Sequence, residues 1–333
     1  MKKSLITFLL LVLVSCSSGD EIAEDNVTSV SNDTPTTTSS SQKSDDTTTT
    51  STTDPVFAYT FDVEKMSPFT GKELPPETWL LRPKRVIAFK IDNNINARPQ
   101  SGLQEADAVH EILVEGGMTR FLAYFMDKKS SYLGPIRSAR PTDPTLISPY
   151  GGILVVSGAT AGLIPHIRDL GVPVLEEQGP PTMFRISDRS APHNLYADTE
   201  LVRKHVDDRG FYFNQYVKPL YDFGNNQSNW KSGANRITVK YSDFTTIVWK
   251  IDNENYSRFI VDGYTDSADA VSHNFITIDG YTDILKAETI VAIQGPLYKD
   301  EKTNLPSVLT VGVGPVYIFS EGKYIEGTWR RND

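Results

Sequence analysis

Apolar side chains follow two regimes along the chain. Before residue 56 they are scarce apart from one run at the start, and from residue 85 onward they recur in short blocks bounded by Gly, Pro, Asn or Asp. Short blocks rich in β-branched and aromatic residues predict strands, here 85–91, 108–114, 119–126 and 152–156. Helical spacing takes over at 162–170, where Pro165 falls in the first turn and Gly171 and Pro173 end the pattern, and at 199–208, ended by Gly210. After the polar stretch 225–229 the blocks alternate at 236–241, 245–250, 258–261, 289–293, 308–311 and 316–319. Asp262-Gly263, Asp279-Gly280 and Glu321-Gly322 supply turn chemistry between them. The expected architecture is an α+β or α/β mixed first domain over 78–227, followed by a β-rich second domain over 228–333.

The opening run has a different meaning. Lys2 and Lys3 precede apolar residues from Leu5 to Val14, broken only by Thr7, and Ser15-Cys16 follows. A run of about ten residues is roughly half the length needed to span a bilayer as a helix, so the pattern predicts a signal peptide over 1–15. Leu13-Val14-Ser15-Cys16 resembles a bacterial lipobox, in which the chain is cut before the cysteine and fatty chains such as palmitate are attached to it. Two such chains hold a protein on a membrane lastingly. An ordinary secretory signal would leave Cys16 incidental. Residues 16–55 then form a Ser/Thr-rich, acidic tether with three aliphatic side chains larger than alanine, too few to repay the entropy of ordering. As a coil it reaches roughly 35 Å. The expected location is lipid-anchored on the cell membrane facing outside the cytoplasm, with Ser17 after the cysteine favouring the outer membrane in a two-membrane bacterium.

Composition narrows the chemistry. Cys16 is the only cysteine among 333 residues, which rules out disulfides within the chain and multi-cysteine metal sites. The formal net charge is −9, and no large basic footprint supports nucleic-acid binding. Residues 17–55 hold eight acids against one lysine, whereas 82–140 holds ten bases against six acids. A locally basic segment in an acidic chain leaves room for a confined anion site.

That segment is dense in polar residues. Asp92-Asn93-Asn94 ends the first predicted strand and Arg98-Pro99-Gln100-Ser101-Gly102 follows; then come Glu111 to Arg120 and Gly134-Pro135-Ile136-Arg137-Ser138-Ala139-Arg140-Pro141. Glu111 and Glu115 share a face at spacing four, whether strand or helix, so both carboxylates are expected to point together. Together with Ala191-Pro192-His193-Asn194-Leu195-Tyr196, these strings resemble the YerB-like family of bacterial lipoproteins, whose two domains are of unknown function. The resemblance is strongest from Arg85 to Tyr196 and continues through Asp269-Ala270-Val271-Ser272-His273, Gly312-Val313-Gly314 and Gly322 to Trp329. It implies a lipidated, tethered envelope protein. In that family a further strand and a second tryptophan follow Gly-Thr-Trp, whereas this chain stops at Asp333, so the expectation is either a missing last strand pairing or an incomplete sequence.

Arg98, Arg120, Arg137 and Arg140 are candidates for gripping an anion, because guanidinium forks match phosphate or carboxylate oxygens and stay charged. Asp92, Glu111 and Glu115 are candidates for a divalent metal among those arginines, as catalytic residues or metal ligands. The same acids and bases could equally form an internal salt-bridge network. Thr119 to Phe125 followed by Gly134-Pro135-Ile136-Arg137-Ser138 is also similar to the paired strands of LytR-CpsA-Psr phosphotransferases, which implies a lipid-linked cell-wall glycan as a substrate, although that family's aspartates are not clearly matched. His193 is expected in a loop before a helix, either as a base or metal ligand or as a hydrogen-bonded structural residue. Three functional readings follow: binding of a phosphate- or glycan-type ligand, metal-assisted phosphotransfer or hydrolysis, and docking of an envelope protein through the β-rich half.

Overall fold

The structure, a computed structural model, describes residues 60–211, 215–219, 221, 223–224, 228–263 and 270–332. The expected signal peptide, Cys16, the tether to residue 55 and Asp269 lie outside the described residues.

The first half runs α1 (Pro76–Trp79), β1 (Ile87–Asp92), β2 (Ala108–Leu113), β3 (Thr119–Phe125), α2 (Asp143–Ile147), β4 (Ile153–Val155), α3 (Leu163–Asp169), β5 (Val174–Leu175), β6 (Met183–Arg185), β7 (Leu195–Ala197) and α4 (Thr199–Asp208). Five strands form one sheet in the order β2-β3-β1-β4-β5, with β1 antiparallel to β3 and parallel to β4. Every residue of β1, β2, β3 and β4 is buried, which is why these strands read as near-continuous apolar runs. Gly162, at φ +83°, precedes α3, and the Asp198 side chain accepts from the Glu200 and Leu201 amides at the start of α4.

The second half contains β8 (Lys231–Ser232), β9 (Arg236–Lys240), β10 (Thr245–Asp252), β11 (Asn255–Asp262), β12 (Val271–Ser272), β13 (Asn274–Ile276), β14 (Thr282–Ile284), β15 (Lys286–Ala287), β16 (Thr289–Ile293), β17 (Leu297–Lys299), β18 (Pro306–Val308), β19 (Gly312–Ser320) and β20 (Lys323–Arg331). One sheet runs β12-β11-β10-β9, with β15 also on β11, and another runs β16-β19-β20-β8. The expected turns at Asp279-Gly280 and Glu321-Gly322 join β13 to β14 and β19 to β20, with Glu321 at φ 52° and Gly322 at φ 74°. One expectation is corrected: the strand placed at 308–311 lies at Pro306–Val308, where it pairs with β17. The last strand pairs with β19 from Lys323 to Arg331, and β8 joins its other edge at Lys323 and Tyr324.

Strand alternation sorts the first sheet into two apolar clusters. Ile87, Phe89, Ile91, Val109, Phe121, Ala123 and Phe125 face one side and pack with Ile237, Trp249, Tyr256 and Ile260 of the second half. Ala88, Ala108, Ile112, Leu122, Tyr124 and Leu154 face the other, with Leu146 and Ile147 of α2 and with Val291 and Ile293 of β16. Both clusters cross residue 228, so the halves share their cores. Mixed helix and strand in the first half gives way to strand in the second, and the described residues are mostly β-rich. No helix among them is long and apolar enough to cross a membrane.

Candidate functional site

Lys90 and Asp92 alternate with Phe89 and Ile91 along β1, and the register places Asp92 opposite Arg120 of β3. A row of charge is thereby carried into the buried sheet face that α2 covers. Buried ions require partners, and each finds one. Lys90 Nζ donates to Asp143 Oδ1 at 2.6 Å, and Asp143 Oδ2 accepts from the Arg140 amide at 2.7 Å. Burial brings the Lys90 ammonium down to about 8 against the opposing pull of Asp143. Asp143 thus clamps the segment carrying Arg137 and Arg140 against the end of β1.

Arg120 donates to the Ser138 carbonyl at 2.8 Å, and Arg140 donates to the Ala139 carbonyl at 2.7 Å. Their remaining edges meet at Glu115. Arg140 Nε lies 2.6 Å from Oε2 with a second contact to Oε1, and Arg120 reaches Oε1 at 3.4 Å. Burial lowers Arg120 to about 10; Asp92 opposes the shift and the like charge of Arg137 adds to it.

The third arginine of this face, Arg137, shares a carboxylate with His193. One oxygen of Asp92 lies 2.7 Å from His193 Nδ1 and 3.0 Å from Arg137 Nε. The Arg137 contact is an ion pair without hydrogen-bond alignment, since its Nε has no hydrogen-bond partner. The other Asp92 oxygen accepts from the Asn94 amide at 3.1 Å. The Asp92 side chain is 4% exposed, against 22% for Arg137 and 17% for His193, so these two lie nearer the surface and Asp92 beneath them. His193 sits in a loop before β7 rather than directly before a helix.

Two candidates lie elsewhere. Arg98 donates to Asn93 and pairs with Asp262 at the junction with β11, apart from the other three arginines. Glu111 faces the opposite side of the sheet, where it accepts from Thr119 Oγ1 at 2.7 Å and from Arg258 at 2.6 Å. Arg258 also contacts His273 Nδ1, and His273 Nε2 lies 2.6 Å from Gln100 Oε1. Gln100 in turn donates to the Asp92 carbonyl at 2.9 Å. This second network is fully enclosed. Burial and the adjacent guanidinium of Arg258 hold His273 well below its ordinary value, so a neutral ring donating through Nε2 and accepting at Nδ1 fits both contacts.

The expectation that Glu111 and Glu115 point together is therefore corrected. Spacing four gives one face only while a single element continues, but β2 ends at Leu113 and Glu115 opens a separate three-residue turn, where it meets Arg140. Asp92, Glu111 and Glu115 consequently have separate partners. Among the described residues no three His, Cys, Asp or Glu side chains are grouped to hold a metal ion.

Lys90, Asp143, Arg258 and His273 were missed as candidates. Lys90 carried a legible signal, a lysine within an apolar strand. Arg258 and His273 carried none, because their partners lie in the other half of the chain.

Comparisons with known proteins agree with this fold. The family described as "Protein of unknown function (DUF3048) N-terminal domain" matches residues 69–212, which hold Asp92, Glu115, Arg120, Arg137, Arg140 and His193. The "Putative lipoprotein YerB" of Bacillus subtilis (strain 168) is 27% identical over 268 residues, 80% of this chain and 78% of that protein. The crystal structure of YerB protein from Bacillus subtilis superposes with a TM-score of 0.64 at 25% identity, covering 80% of this chain and 87% of that one. By sequence and by fold, these likenesses support a YerB-like family for the chain.

Proposed function

We propose that this protein is lipidated at Cys16, faces outside the cytoplasm, and binds a small phosphate- or glycan-type anion at the mouth formed by Arg137 and His193. The reading is carried by one observation: a single Asp92 oxygen holds both groups in place, while His193 Nε2 and the terminal Arg137 nitrogens have no acceptor among the described residues. Arg120 and Arg140 lie behind them on the same face. A donor fixed before a ligand arrives, as the His193 ring is by Asp92, loses little entropy on binding.

The test is calorimetric titration of inorganic pyrophosphate into the full chain carrying Cys16→Ser. Removing one charge-assisted contact costs about 1.5–3 kcal/mol, so Arg137→Ala should weaken binding by about tenfold or more. Equal affinity in the variant, or no heat at millimolar pyrophosphate, rejects the site. For the anchor, Cys16→Ser should move the protein from the membrane pellet to the soluble fraction of cells.

A second reading rests on the same carboxylate. Asp92 fixes the His193 ring through Nδ1 and leaves Nε2 outward, the orientation in which an imidazole serves as a general base. Phosphotransfer or hydrolysis on a lipid-linked wall glycan is the reaction class this suits. Turnover of a polyprenyl-pyrophosphate substrate that survives His193→Gln unchanged would sink it.

A further inference from the structure

Glu115 closes the two arginines behind the mouth. Its side chain is 36% exposed, whereas those of Arg120 and Arg140 are 6% and 8% exposed. Both guanidiniums are held independently of it. Arg120 is fixed by the Ser138 carbonyl, and Arg140 by Ala139 and Ser138, leaving one edge of each directed at the Glu115 carboxylate. A fork anchored on backbone carbonyls and turned outward is a built oxyanion site, and the group now in it is a carboxylate with two oxygens.

The support beneath that carboxylate is light. Glu115 begins a three-residue turn in which Gly116 and Gly117 both take φ 71°. Gly117 is pinned through its carbonyl, which accepts from Ser242 Oγ at 2.7 Å, while Gly116 is exposed. The Glu115 side chain can therefore swing into solvent by rotamer change without moving the strands on either side. Charge favours replacement by a stronger anion. Lys90, Arg120, Arg137 and Arg140 face Asp92, Glu115 and Asp143, so this side of the sheet already carries more positive groups than negative ones.

We infer that Glu115 is an intramolecular stand-in for the ligand: the Arg120–Arg140 fork is the anion subsite, and a tetrahedral oxyanion of the phosphate or pyrophosphate class displaces the Glu115 carboxylate from it. This rests on the proposed anion-binding role and gives it a ligand class. A free monocarboxylate brings the same two oxygens as Glu115 but lacks its covalent tether, so it competes poorly against a group held at high effective concentration. A phosphate brings more charge and a third oxygen.

The experiment is calorimetry with inorganic pyrophosphate, with acetate as the competing chemistry, on the full Cys16→Ser chain and on the same chain with Glu115→Gln. Removing the tethered competitor should tighten pyrophosphate binding by about tenfold or more. Acetate should bind neither protein tightly, but at tens of millimolar it should raise the melting temperature of Glu115→Gln and not that of its parent. Pyrophosphate binding that is equal or weaker in Glu115→Gln, while Arg137→Ala still weakens it, overturns the displacement and leaves the mouth standing. No binding to either folded protein overturns both. Should Glu115→Gln fail to fold without anion, Glu115→Asp, which keeps the charge with a shorter reach, is expected to bind pyrophosphate more tightly than the parent; affinity at or below the parent's rejects the displacement.

Discussion

The carboxylate of Glu111 and the guanidinium of Arg258 meet at 2.6 Å across 147 residues of sequence, with no solvent exposure of either side chain. Arg258 also lies over the rings of Phe121 and Trp249, at 5.3 and 5.7 Å from their centroids. The pair ties the two halves together at the centre of a shared core. Truncating one partner strands the other charge in a low-dielectric site, which costs about 3–5 kcal/mol. Arg258→Met should lower stability by that amount, and Glu111→Gln with Arg258→Met should recover part of it. Urea unfolding at pH 7 reads both values; an additive double variant would show that the pair is not coupled.

Gly134 governs where Arg137 stands. The segment it begins bridges Ser101, and Leu133 and Ile136 on either side of it bridge Ala197 and Ile91. A Cβ at Gly134 would lie 2.7 Å from the Tyr196 ring and 2.9 Å from the Leu195 carbonyl, neither of which is the free end of a flexible chain. Gly134→Ala should therefore destabilise by about 1–3 kcal/mol and weaken pyrophosphate binding by moving Arg137. A lower melting point with unchanged affinity would separate the segment from the site.

The sheet and its charged face were largely legible in the chain, because alternation in a strand is local. Once 85–91 and 119–126 read as strands, Lys90 and Arg120 had to project from buried faces, and buried charges need partners. α4 was legible to its ends because Thr199–Asp208 follows a capping Asp198 and precedes Gly210. The strands β5, β6 and β7 were not: two or three residues cannot display a period, and unlike Ile153–Val155 they do not sit in a longer β-branched apolar run. The grouping of Glu111 with Glu115 failed because β2 stops at Leu113, and a spacing rule does not show where a strand ends. The partners of Arg98, Glu111 and Gln100 were hidden for a different reason: Asp262 and Arg258 of β11, and His273 between β12 and β13, come from a part of the chain whose register with the first half is set only when both cores close.

Acid should unfold this protein through buried imidazoles. Burial holds His110 down to about 3, with the Lys90 charge adding to the shift, while its Nδ1 lies 2.8 Å from the Tyr124 hydroxyl. The folded value lies below the unfolded one, so the stability contributed is fully present above about pH 6.5 and is lost as pH falls toward 3. Between pH 6.5 and 4.5 the loss should be about 2–3 kcal/mol. His110→Gln, which cannot take up a proton, should remove that part of the slope in urea titrations; parallel slopes would mean that His110 charges without cost.

Alkali should act in the opposite sense through Lys90. Burial lowers its folded value from 10.5 to about 8, so below pH 8 the protein holds a charged ammonium at a cost that only Asp143 offsets. Between about pH 8 and 10 the unfolded chain keeps this proton and the folded chain releases it, so the Lys90 contribution makes folding more favourable as pH rises. Over those two units the gain should be about 2–3 kcal/mol. Measurements should stop at pH 10, because burial raises Tyr124 and Tyr150 well above their ordinary values and their titration pulls stability down beyond it. Lys90→Met removes the titrating group and leaves Asp143 without its cation, so its stability should be lower at every pH and its slope flatter. Wild type and Lys90→Met unfolded in urea at pH 7.5, 8.5 and 9.5 give the difference directly. If that difference stays constant across the three values, Lys90 keeps its proton in the folded state and the pairing with Asp143 outweighs burial.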